Sequence, residues 1–161
     1  MNALGAPAHL WGPPRFCSLH VPQTCNFFAS DLGRRYVGTT VAPSAVQAAV
    51  QGLLAEDANL RETAASMAYN LALMLPKTDA DVVIELTSAV VHRLATEGAT
   101  ETAHRLLAAL GHLLYGNDAA GTLAVTLGAA DHLGRLLADA VTPERTRDLI
   151  LQVQLVLPAA V

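Results

Sequence analysis

Three features of this 161-residue sequence predict an all-α fold in which helices stack into a solenoid. The first is a recurring helical pattern. The run from Glu101 to Tyr115 has an earlier copy from Glu62 to Leu75, 39 residues upstream, and a weaker copy from Glu144 to Leu157, 43 residues downstream. Cys25-Asn26-Phe27 reads as the tail of a further copy. A unit of about 40 residues is the period of armadillo and HEAT repeats. The second feature is composition. Hydrophobic residues make up 52% of the chain, but Ala, Leu and Val dominate and aromatics are only 4%, a mix that suits closely packed helices better than a sheet. The third is punctuation: Gly, Pro and Asn-Asp turns separate the periodic segments by only a few residues, which makes neighbouring helices antiparallel.

The elements follow in order. Met1 to Gln23 holds Pro7, Pro13, Pro14 and Pro22 without a helical period, and is expected to be irregular or disordered. Residues 24–157 are expected to form the repeats, with 158–161 a short tail, and the stack is expected to be incomplete at its N-terminal end. Two short helices, Thr24 to Ser30 and Leu32 to Val37, are expected first. Pro43 and Ser44 then open a helix running to about Leu54. Asp57 caps a long helix from Ala58 to Leu75, stopped by Pro76. Its stripe of Leu60, Ala64, Met67, Ala68, Leu71, Met74 and Leu75 has the spacing of a buried face. Thr78 or Asp79 caps the next helix, to about Thr96, with Val83, Leu86, Val90 and Leu94 inward. Ala99 to Tyr115 follows, burying Ala103, Leu106, Leu107, Leu110, Leu113 and Leu114 and placing His112 near the core. Asn117 or Asp118 caps a helix to Leu127, ended by Gly128. Ala130 to Ala138 and Pro143 to Leu157, with Pro143 at the first helical position after Thr142, complete the series.

Composition also excludes functions. The formal net charge is −4 and there is no block of like charge, which disfavours general nucleic-acid binding. No apolar run is long enough to span a membrane, and the first residues lack a basic segment followed by an apolar one, so cytoplasm or nucleus is the expected compartment. Cys17, His20 and Cys25 supply three zinc-ligand types without a convincing fourth, so free thiols are the better reading and no metal or cofactor is expected. None of the metalloprotease, phosphate-loop, nucleophile-elbow or dinucleotide motifs is present, so the chain is not expected to be an enzyme. His104 and His112 share a helix but lie two turns apart, too far to chelate one metal.

Candidate binding residues lie on the long helices. Tyr69 and Asn70 fall where the Ala58 to Leu75 helix presents a polar edge; an Asn there either holds a partner's backbone or is satisfied by a neighbouring helix. Arg105 flanks the apolar stripe of its own helix. It reads as a solvated side chain, as a partner of Glu101 four residues earlier, or as an anchor for a partner's carboxylate.

Several segments resemble one family. Arg105-Leu-Leu-Ala-Ala-Leu-Gly111, then Asn117-Asp-Ala-Ala120, then Leu123-Ala-Val-Thr-Leu-Gly-Ala129 is similar to the C-terminal part of the PUL domain of the phospholipase-activating and ubiquitin-fusion-degradation adaptors. Cys25-Asn-Phe-Phe28 with Gly33-Arg-Arg35, and Ala68-Tyr-Asn-Leu-Ala-Leu73, are similar to further segments of that family. The resemblance implies armadillo-like repeats. It also implies a role in binding the acidic, aromatic-bearing C-terminal tail of the AAA ATPase valosin-containing protein, which links the module indirectly to ubiquitin conjugates, and it gives Arg105 a place in the tail-binding groove. Two alternatives stay open: a structural solenoid or truncated product without a peptide site, and a remnant of a ubiquitin-processing or thioredoxin-like protein.

Overall fold

Short caps and long apolar stripes shape the molecule. A computed structural model describes residues 42–75 and 80–158. These described residues form seven α-helices: α1 (Ala42–Leu53), α2 (Ala58–Met74), α3 (Ala80–Leu94), α4 (Glu101–Leu114), α5 (Asp118–Thr126), α6 (Ala129–Ala138) and α7 (Glu144–Val156). No strand occurs among the described residues, so the all-α reading holds. The expected irregular segment 1–23, the two short helices before Pro43 and the cap at Thr78 or Asp79 lie outside the described residues.

The caps are local and follow from residue type. The Asp57 carboxylate accepts from the Leu60 amide at 2.8 Å, and the Asn117 side chain accepts from the Ala120 amide at 3.0 Å. Each satisfies a donor that a helix start leaves without an intrahelical partner. Helix α4 begins at Glu101 rather than Ala99, because extended Thr100 places its hydroxyl to accept from the Ala103 amide at 3.2 Å. Pro143 is the N-cap residue of α7 rather than its first helical residue. Thr142 is drawn instead into the preceding turn, where its buried hydroxyl donates to the Leu136 carbonyl at 2.6 Å. Gly128 ends α5 with φ of 77°, a left-handed conformation that costs glycine little, and leads directly into α6.

The helices pack in two layers. Helices α2, α4 and α7 lie side by side in one, and α1, α3, α5 and α6 make the other; α1 also packs on α2, and α3 on α4. Apolar stripes from both layers meet in a single core that includes Leu53, Met67, Leu71, Leu86, Leu94, Leu106, Leu107, Leu110 and Ile150. All six positions expected inward on α4 are buried. His112 is not near the core; it is exposed, because Leu110, Leu113 and Leu114 take the buried side of that turn. The α1–α2 crossing is very close: a Cβ on Gly52 would sit 2.7 Å from the Ala64 Cβ, so glycine is needed at that contact.

One polar knot is built into this packing. Glu97 is 7% exposed, just beyond α3, and Arg93 reaches its carboxylate with Nη2 at 2.6 Å and Nε at 2.7 Å. Arg61 of α2 lies 3.4 Å from the same oxygen. The Arg61 Nε is buried without a hydrogen bond, while its Nη1 donates to the carbonyls of Ala55 and Glu56 after α1. Arg135 of α6 donates to the carbonyls of Leu94 at 2.7 Å, Ala95 at 3.1 Å and Glu97 at 3.1 Å. Two arginines thus satisfy carbonyls that the ends of α1 and α3 would otherwise leave unpaired, where positive charge also suits the helix dipole.

Candidate peptide-binding face

The layer of α2, α4 and α7 carries a second charged system, this one near the surface. Each helix contributes residues from the same part of the repeated pattern: Glu62 and Ser66 from α2, Glu101 and Arg105 from α4, Arg145 from α7. Arg105 is at the centre. Its Nη1 donates to the Ser66 hydroxyl at 2.5 Å and lies 3.3 Å from Glu62, while its Nε lies 3.4 Å from Glu101. The other oxygen of Glu101 meets Arg145 Nη2 at 2.5 Å. A ladder of alternating charge therefore runs across three helices. Of the three readings open for Arg105, the pairing with Glu101 is present, and Arg105 is shared among three oxygen partners.

Beside this ladder runs an open groove of about 700 Å³ between α4 and α7, with one wall reaching Tyr69 of α2. Its floor is apolar, with Ala108, Gly111, Leu149, Val153 and Val156, and its edges carry His104, His112, Tyr115, Arg145, Asp148 and Gln152. Gly111 faces α7 across this groove, and a Cβ there would make ordinary van der Waals contact with Val153 at 3.5 Å. The His104 Nδ1 is 3.1 Å from the Thr146 hydroxyl, a contact that ties the two helices together at one end. Towards the other end the Tyr69 and His112 rings pack at a centroid distance of 5.8 Å, tilted by 52°. Tyr115 stands at the rim, 67% exposed.

The three residues singled out from sequence are thus separated in role. Tyr69 lines the groove. Asn70, one residue on, does not line it; it is half-buried and engaged within the protein. Arg105 flanks the groove through the ladder rather than lining it. Sequence reasoning missed Arg145, the one permanent cation among the groove's described lining residues. The available signal was its place one residue into the third copy of the repeat, next to Glu144, which matches Glu101 in the second.

The PUL domain family model matches residues 15–150, most of the chain. The chain belongs to the PUL domain family. PUL domains are protein-interaction modules, so a groove that presents apolar side chains, two tyrosines and mixed charge reads as a surface for a polypeptide. Comparison with curated proteins and with solved structures gives no match. No helix among the described residues is long and apolar enough to cross a membrane, and none of their His, Cys, Asp or Glu side chains cluster in threes as a metal site would need. Cys17, His20 and Cys25 lie outside the described residues.

Proposed function

We propose that this PUL domain binds the acidic C-terminal tail of the AAA ATPase valosin-containing protein and so serves, in the cytoplasm or nucleus, as an adaptor in ubiquitin-dependent degradation. The observation that carries this reading is the juxtaposition of the groove between α4 and α7 with the Arg105–Glu101–Arg145 ladder. An aromatic or aliphatic side chain of the tail fits against Leu149 and Val156, between Tyr69 and Tyr115. Carboxylates of the tail are directed to the arginine end. Guanidinium–carboxylate hydrogen bonds are charge-assisted, which makes Arg the suitable partner for an acidic peptide. The groove is shallow and half open, so affinity no better than micromolar is expected.

The test is calorimetric titration of the ATPase tail peptide into the wild type and into Arg105→Ala. Binding that weakens in the variant, and weakens further as salt is raised, supports the reading, because exposed charges are screened beyond roughly 8–10 Å near physiological ionic strength. Absence of binding to the wild type at low salt removes the ATPase from consideration and leaves a structural solenoid.

A further inference from the structure

We propose that Glu101 is an internal stand-in for the ligand: it holds Arg145 at the end of the groove, and a partner's carboxylate binds by taking its place. The inference rests on the reading of the groove as an acidic-peptide site. It assigns the contact to Arg145 and gives Arg105 the role of positioning Glu101.

The two arginines differ in what they can release. Arg105 has a side chain 33% exposed and is gripped by Glu62, Ser66 and Glu101 from two helices. Arg145 is 65% exposed, lines the groove, and is held in its ion pair by one oxygen of Glu101. The two oxygens of Glu101 are divided, Oε1 towards Arg105 at 3.4 Å and Oε2 towards Arg145 at 2.5 Å. When a ligand carboxylate takes Arg145, Glu101 keeps Arg105, so no carboxylate is left unpaired. The exchange swaps one Arg–carboxylate pair for another and is close to balanced in energy. Net affinity must then come from apolar contact along Leu149 and Val156. Free anions gain little from the swap, whereas a peptide that brings both a carboxylate and an apolar or aromatic side chain gains twice. Glu101 thereby sets a threshold that selects for acidic peptides with a hydrophobic anchor.

The experiment titrates two probes by calorimetry at low salt: the ATPase tail peptide, and a hexapeptide of Asp, Glu and one Tyr with a free C-terminus. The proteins are the wild type, Glu101→Gln, Arg145→Gln and the double variant, each checked for an unchanged melting transition. Glu101→Gln is expected to bind both probes about two- to fivefold tighter, the factor a surface ion pair supports. Arg145→Gln is expected to lose most binding, and the double variant to match Arg145→Gln alone. Glu101→Gln binding no tighter than wild type overturns the proposal. So does equal tightening in the Arg145→Gln background, which would mean that only the loss of a negative charge is felt. If the ATPase peptide binds without change on Glu101→Gln, the functional reading stands and this inference falls. If the generic peptide alone shows the pattern, the inference stands and the ATPase is the wrong partner. If no protein binds either probe, both are wrong.

Discussion

The same chemistry appears twice in this domain with opposite consequences. Around Glu97, arginines from α2, α3 and α6 close on a carboxylate and on backbone carbonyls at the ends of α1 and α3. Around Glu101, arginines from α4 and α7 share a carboxylate at the surface. The Glu97 side chain is 9% exposed and that of Glu101 is 41% exposed. Where water is excluded, a missing partner leaves a charge that nothing can solvate, so the arrangement is locked. Where water has access, either partner can let go at little cost, so the arrangement can be exchanged for a ligand. Burial, not residue type, separates the fastener from the recognition element.

The comparison can be broken most severely from the core that both systems sit upon. Leu110 is fully buried between the layers, and Leu110→Ala is expected to cost about 2–5 kcal/mol by denaturant unfolding through the cavity it leaves. A loss below about 0.5 kcal/mol would show that the stripe does not carry the packing. Next comes the knot. Glu97→Ala leaves Arg61 and Arg93 without their carboxylate; because both arginines are about a fifth exposed, the expected cost is about 2–3 kcal/mol rather than the full penalty for a broken buried pair. Arg135→Ala removes donors from three carbonyls at and just after the end of α3, and a loss of about 1–2 kcal/mol is expected in the same assay. Smallest is Glu101→Gln, expected to change stability by less than about 1 kcal/mol while altering peptide affinity. If Glu101→Gln destabilised the domain as much as Glu97→Ala, the ladder would be a fastener too. The contrast also sharpens with salt: raising ionic strength is expected to abolish the effect of Glu101→Gln on peptide affinity and to leave the Glu97→Ala difference nearly intact.

Much of the fold was legible because its signals are local. Asp57 and Asn117 announce helix starts through side-chain oxygens three residues from the amides they bind. The stripe from Ala103 to Leu114 repeats at the helical period, and every expected member is buried. The errors were local competitions. Thr100, not the residues just after Gly98, sets the start of α4, and Thr142 spends its hydroxyl on Leu136 rather than on a helix start. His112 was misplaced because a polar residue beside a stripe gives no sign of the side to which it turns. The site was less legible: Tyr69 lies in the groove and Arg105 at its flank, but Asn70 does not line it and Arg145 went unnoticed.

The amino-acid sequence alone determined that this chain forms helices, where they begin and end to within a few residues, which face of each is apolar, and that the pattern recurs at the period of a solenoid. These depend on dihedral preferences, capping and side-chain spacing, all of which act within a few residues. Only the tertiary structure decided that Glu101 meets Arg145 across 44 residues, that Arg105 is shared with Ser66 across 39, and that Glu97 rather than Glu101 is sealed from water. Those outcomes depend on the register between packed helices. Periodicity says which face is buried but not which residue of the neighbouring helix lies opposite, and at a surface charge that register decides between a fixed bond and a site open to a partner.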